Sequence, residues 1–242
     1  MGKVRVSVAL ASYNGERYIR EQIESILANL KEEDEIVVSD DGSKDNTLAF
    51  LQEYQKGKIS IRILKGPGKG IKKNFENALK HCRGEYIFLS DQDDVWTRDK
   101  VERVLPYLLE GNYTLVNHDA RVMDGKLKKE IMPSFFEYRG SAPGFWKNYI
   151  KNRYMGCCMA FHRKLLSRAL PIPEEIEMHD QWIGLINHIA GNKSLFLKEP
   201  LVLYRRHEKN VSDFTHGTVP VMIKKRLILA KALLCQGILK KH

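Results

Sequence analysis

The strongest constraint on the fold is a unit that recurs through the first half of the chain: a short apolar run, a polar or glycine-bearing turn, then a segment with helical spacing. Val4 to Ala11 reads as a strand and Glu16 to Leu30 as a helix, because Ile19, Ile23, Ile26, Leu27 and Leu30 recur on one face. Glu35 to Ser39, Ile59 to Leu64 and Tyr86 to Ser90 repeat the strand signal, and Asn46 to Tyr54 and Ile71 to His81 repeat the helix. Continuously apolar strands must be covered on both faces. The pattern therefore predicts an α/β fold with a mainly parallel sheet, helices on both sides, and ligands at the carboxyl ends of the strands.

The second half is less regular. Thr114 to Asn117 and Gly156 to Phe161 read as strands, Trp182 to Ala190 as a helix, and Lys193 to Leu197 and Leu201 to Tyr204 as short strands. Between them, Pro133 to Arg153 carries Phe135, Phe136, Tyr138, Phe145, Trp146 and Tyr149 and reads as an insertion over one end of the sheet. Val219 to Leu239 is helical, mixing leucines with Lys224, Lys225, Arg226 and Lys231. Two destinations stay open for it: docking on its own domain, or lying on an anionic lipid surface.

No linker divides the 242 residues, and no stretch is apolar enough to span a membrane. The N-terminus lacks the apolar run of a signal peptide, which points to a cytoplasmic protein. Cys82, Cys157, Cys158 and Cys235 fit neither a zinc site nor a disulfide framework. The net charge of +10 calls for an acidic partner: nucleic acid, an anionic membrane or a polyphosphate substrate.

Chemistry concentrates where the strands end. Asp91-Gln92-Asp93-Asp94 follows the apolar run Tyr86 to Ser90, and packing gives no reason to crowd like charges there. A divalent cation, Mg²⁺ or Mn²⁺, holding a phosphorylated substrate accounts for the cluster. The plainer alternative is a polar turn in which one Asp caps a helix starting at Arg98. Ser12-Tyr13-Asn14-Gly15 and Asp40-Asp41-Gly42-Ser43 end two other strands, and Gly66-Pro67-Gly68-Lys69-Gly70 follows a third. Converging on one edge, such clusters offer carboxylates for a ribose or base, a Tyr ring to cover the base, and glycine amides with Lys69, Lys72 or Lys73 for phosphate.

These motifs, with His179-Asp180-Gln181-Trp182 and Leu203-Tyr204-Arg205-Arg206-His207, occur in an order that resembles glycosyltransferase family 2, in particular its bacterial rhamnosyltransferase-type branch. The resemblance spans roughly residues 4 to 212. It implies a Rossmann-like GT-A fold with an acceptor-side insertion and a C-terminal helix. Residues 1–218 would form the transferase domain, with a nucleotide-sugar half to about 118 and an acceptor half beyond, and 219–242 the basic amphipathic helix. The implied activity is inverting, metal-dependent transfer of a sugar, rhamnose first, from a nucleotide-sugar donor to a saccharide or lipid-linked saccharide in bacterial surface polysaccharide synthesis.

Carried over by position, Ser12, Tyr13, Asn14, Asp40, Asp41, Lys72, Asn74, Asp91, Gln92 and Arg205 would hold the donor, Asp93 and His207 the metal, and Asp180 would be the base. Asp94 is an extra carboxylate that leaves the choice between Asp93 and Asp94 open. Gln181 departs from the aromatic residue common in that branch. Asp180 as a simple helix cap, and His207 as a surface imidazole, remain the bland alternatives. Transfer of another hexose or an N-acetylhexosamine from a UDP-sugar is the second functional reading, and a non-catalytic nucleotide-binding protein the third. A nucleotidyltransferase would carry a glycine-rich, basic loop after the first strand, which Ser12 to Gly15 is not. The acidic clusters oppose nucleic-acid binding, whereas the basic tail allows peripheral contact with an anionic membrane at its inner face.

Overall fold

The computed structural model describes residues 4–208, 210 and 218–239. The expected repeat is present: β1 (Val6–Ser12), α1 (Ile19–Leu27), β2 (Glu35–Asp40), α2 (Thr47–Tyr54), β3 (Ser60–Lys65), α3 (Ile71–His81) and β4 (Tyr86–Ser90). β5 (Val95–Trp96), α4 (Lys100–Leu109), β6 (Leu115–Asp124), β7 (Glu130–Met132), α5 (Phe135–Arg139) and α6 (Phe145–Ile150) follow. β8 (Met159–His162), α7 (Leu166–Ala169), α8 (His179–Ile189), β9 (Ser194–Arg206) and α9 (Val219–Leu239) complete it.

One sheet carries everything, in the order β3-β2-β1-β4-β8-β6-β9-β5, with β7 on the side of β6. The first four strands pair in parallel, as expected for crossovers through helices. β8 then runs antiparallel to both β4 and β6, so the second half of the sheet is mixed. The proposed division near residue 118 falls inside β6, within this continuous sheet.

Alternation along β1 explains the two helix layers. Val6, Val8 and Leu10 pack with Ile19, Ile23 and Ile26 of α1 on one face, while Ala9 and Ala11 pack with Phe75, Ala78 and Leu79 of α3 on the other. On that second face, Leu229 and Leu233 of α9 join Trp182 and Ile183 of α8. Tyr149 Oη donates to the Arg226 carbonyl at 2.8 Å, and Lys225 pairs with Glu177 at 2.6 Å. The tail helix thus docks on its own domain along one side; Lys240 to His242, the end of the expected segment, lie outside the described residues.

Candidate active site

The loops after β1, β2 and β4 are knitted together by side chains. Gln92 clamps the backbone of Tyr13, accepting from its N–H at 2.8 Å and donating to its carbonyl at 2.9 Å. A Cβ on Gly15 would lie 2.2 Å from the Gln92 amide oxygen, so this approach requires glycine. The Tyr13 side chain remains exposed. Asp40 is buried and turned inward: it accepts from Ser12 Oγ at 2.8 Å and from the Gly42 and Ser43 amides. Asn14, at φ +48°, accepts from the Lys44 amide, and Asn74 Nδ2 donates to the Ser12 carbonyl. Of this set, Tyr13 presents an open side chain, while Ser12, Asn14, Asp40, Asn74 and Gln92 shape the loops.

The glycine loop and two lysines have protein partners of their own. The Gly68 and Gly70 amides, expected to meet phosphate, instead donate to Asp41 at 2.7 and 2.8 Å. Lys72 and Lys73 of α3 donate to carbonyls of the segment before α8: Lys72 to Glu174 and Ile176, Lys73 to Ile172. An ammonium held by two carbonyls is spent on structure. The alternation signal placed these residues near the site but could not show that a neighbouring loop would reach them first.

At the end of β4 the three carboxylates separate in role. Asp94 is fully buried; its Oδ1 accepts from the Arg205 N–H at 3.0 Å and its Oδ2 has no partner. Burial, with Asp93 and Asp91 nearby, holds its pKa well above the ordinary carboxylate range. Asp93 is half-buried and meets His207 Nε2 at 2.9 Å. The His207 ring stacks on Tyr18 with centroids 4.8 Å apart. Asp91 is pushed up to about 7, first by desolvation, then by Asp93 and Asp180. None of the three caps a helix, because α4 begins at Lys100 with Asp99 in the capping position.

Arg205 is the brace of this cluster. Its guanidinium donates to the Asp93 and Gly125 carbonyls at 2.7 and 3.1 Å and to Glu21 at 2.5 Å, and lies over the Tyr18 ring. It organises the site rather than offering a free fork to a ligand. Sequence reasoning missed Lys100, a fully buried ammonium that donates to the Cys157 carbonyl at 2.7 Å and sits 3.8 Å over the Trp96 ring. Burial lowers it to about 8, against the pull of Cys158, Cys157, Asp94 and Asp91. The signal was present, since Lys100 shares the buried stripe of Val101, Val104, Leu105 and Leu108.

Two donor sets are conceivable for a cation. Asp91, Asp94 and Cys157 bring one ligand atom each within 4.8 Å of one another. The Cys157 thiol is held well above its ordinary range by Cys158 and by burial, so it stays protonated and is a poor ligand beside hard carboxylates. Asp93 with His207 is an oxygen and nitrogen pair 2.9 Å apart, which suits Mg²⁺ or Mn²⁺ better, and His207 lines a cleft. That cleft, about 530 Å³, is lined by Asn14, Arg17, Tyr18, Arg206 and His207 among others.

Asp180 lies in the first turn of α8, one residue inside a helix whose capping position is Met178. Its Oδ1 accepts from Asn152 Nδ2 at 2.9 Å and from the adjacent Gln181 N–H at 2.6 Å. Desolvation pushes it up to about 6, and those two donors and Arg139 pull the other way. Its charge is felt at Asp91, which brings the base candidate to the acidic strand end. Neighbouring His179 is instead packed on Phe75, centroids 4.2 Å apart, and burial lowers it to about 3.

An α/β sheet with three carboxylates at the end of β4, one of them against an imidazole, has the arrangement of the GT-A fold. Residues 7–170 match the model of glycosyl transferase family 2, and the chain belongs to that family. It is 29% identical to the dTDP-rhamnosyl transferase RfbG of Shigella flexneri, over 83% of this chain and 72% of that protein. It is 32% identical to the UDP-Glc:alpha-D-GlcNAc-diphosphoundecaprenol beta-1,3-glucosyltransferase WfgD of Escherichia coli, over 86% of this chain and 79% of that one. Among solved structures, S. aureus TarS in complex with UDP-GlcNAc superposes with a TM-score of 0.70 at 19% identity, covering 95% of this chain and 66% of the TarS chain. The mannosyltransferase PcManGT of Pyrobaculum calidifontis, in complex with GDP-Man and Mn²⁺, gives 0.67 at 19% identity, with 95% and 64% covered. The chain thus spans less than two thirds of both solved proteins. No helix among the described residues is long and apolar enough to cross a membrane.

Proposed function

We propose that this glycosyltransferase moves a sugar with inversion, rhamnose first among candidates, from a nucleoside-diphosphate donor to a hydroxyl of a saccharide or lipid-linked saccharide in bacterial surface polysaccharide synthesis, working from the cytoplasmic side. The observation that carries the reading is a pair of unlike carboxylate environments: Asp93 against His207 at 2.9 Å, and Asp180 buried, held by Asn152 and raised to about 6. The first suits a diphosphate with its cation, the second a proton acceptor near neutral pH.

Asp93 and His207 would hold Mg²⁺ or Mn²⁺, which when bound supplies Lewis acidity to the departing diphosphate. The Tyr13 ring, exposed above the Gln92 clamp, covers the base. Asp180, ionised above pH 6, takes the proton of the acceptor hydroxyl. That oxygen forms its bond to the anomeric carbon as the bond to the diphosphate oxygen breaks on the opposite face, which inverts the centre. Rhamnose is favoured by the likeness to RfbG, and glucose from a UDP-sugar is the second reading, favoured by the higher identity to WfgD. Donor hydrolysis across a panel of dTDP-, UDP- and GDP-sugars, with and without chelator, tests both. Rhamnose falls if dTDP-rhamnose is ignored, and metal dependence falls if chelator changes nothing.

A further inference from the structure

Helix α9 spends only part of its circumference on the domain. About a third of the way round the helix from the buried Leu229 and Leu233, Ile223, Leu227 and Leu234 recur at i, i+4 and i+11 and are 56%, 66% and 66% exposed. On α6, Trp146 and Ile150 share a face at i and i+4 and are 71% and 67% exposed. Arg226, at the edge of the α9 stripe, donates to the Ile150 carbonyl at 2.8 Å and so joins the two helices side by side. Lys147, Lys224 and Lys231 are exposed around these residues. Neither helix contains an acidic residue. Soluble monomers rarely leave five large apolar side chains together without a use for them.

The geometry points to an anionic phospholipid bilayer as the occupant of this α6–α9 face, and the proposal rests on the transfer to a lipid-linked acceptor set out above. Acyl chains receive Ile150, Ile223, Leu227 and Leu234, an amphipathic indole suits the headgroup boundary, and the lysines meet lipid phosphates. A second copy of the chain fits less well, because a self-complementary contact would set these lysines against one another. The face also has a direction. Asn152, next but one to Ile150, is the residue that donates to Asp180, so the exposed face adjoins in the chain a residue that holds the carboxylate that would receive the acceptor's proton.

The protein carries its own probe. Of its three tryptophans, Trp96 and Trp182 are buried and Trp146 is exposed, so a change in emission on adding vesicles reports on this face. Emission should shift to the blue, and the full-length chain should float, with vesicles of phosphatidylcholine plus phosphatidylglycerol but not with phosphatidylcholine alone. Lys224→Glu with Lys231→Glu should weaken that partition by at least tenfold, at about fivefold for each lysine lost from an anionic surface. Ile150→Glu with Leu227→Glu, both at exposed positions and checked for an unchanged melting curve, should abolish it while leaving nucleoside-diphosphate binding by calorimetry intact. Wild-type protein that ignores anionic vesicles overturns the proposal, as does partition insensitive to both pairs. Concentration-dependent dimerisation abolished by Ile150→Glu with Leu227→Glu, without vesicle binding, assigns the face to a second copy and also overturns it. Flotation retained with no nucleotide binding would instead remove the transfer reading and leave the surface standing.

Discussion

Replacing Asp180 by Asn should move activity and stability in opposite directions. A carboxyl that goes from 3.8 to about 6 on folding prefers its neutral form in the folded state; at 1.36 kcal/mol per decade this preference is worth roughly 3 kcal/mol. The sign follows from the direction: the favourable contribution is fully present below pH 4 and is lost as the pH rises through about 6. Above that, the folded protein bears the cost of an ionised, desolvated carboxylate, partly offset by Asn152 and Gln181. Asn keeps the shape and an oxygen for both donors but never ionises. At pH 8 the variant should therefore melt higher, by up to about 6–12 °C for a chain of this size, and the gap should close toward pH 4. Turnover should fall about 10²–10⁴-fold, the usual worth of a positioned base. In the wild-type enzyme, kcat should decline as the pH drops below about 6. Paired thermal melts and saturating-substrate rates from pH 4 to pH 8 test all of this. Near-wild-type turnover would refute the role of Asp180, and a stability change independent of pH would refute the electrostatic reasoning behind it.

Asp93→Ala should abolish metal-stimulated binding of nucleoside diphosphate, with residual affinity indifferent to chelator; isothermal calorimetry with and without Mn²⁺ decides it. Gly15→Ala should displace the Gln92 amide that a Cβ would strike and weaken donor binding with little loss of stability, since the atom struck is the end of a flexible side chain; a fall in melting temperature without a change in donor affinity would contradict this. Arg205→Met removes three charged hydrogen bonds around Asp93 and should cost roughly 3 kcal/mol in urea unfolding, a value near zero marking the brace as dispensable. Gly184→Ala places a methyl 2.2 Å from the Tyr154 ring and should destabilise by about 1–3 kcal/mol.

Local regularity decided what could be read from the sequence. Ile71 to His81 and Tyr86 to Ser90 are matched residue for residue, because apolar spacing and the flanking glycines agree there. β6 is longer than the Thr114 to Asn117 that its sequence suggests, because its apolar run breaks at Asn117, His118 and Asp119, polar groups that the fold nevertheless buries, Asn117 and Asp119 bonded to segments farther along the chain. β9 was read as two strands because Lys198, Glu199 and Pro200 mark an irregularity in its pairing, not an end. The gathering of strand-end clusters was legible. What Asp41, Lys72 and Arg205 actually touch depended on loops far along the chain. The choice posed for the tail also dissolved: one side of α9 docks, and the other remains exposed.

Arg205 has a consequence for the order in which the enzyme comes into being. The groups it secures at Asp93 and Asp94 were synthesised more than a hundred residues earlier, and its partner Glu21 earlier still. A nascent chain can lay down its parallel strands and present every acidic side chain, yet its cluster stays unbraced until the end of β9 arrives. Donor and cation would then find an organised cradle only once the end of β9 has been made, so synthesis itself sets the earliest moment at which this cluster can be occupied.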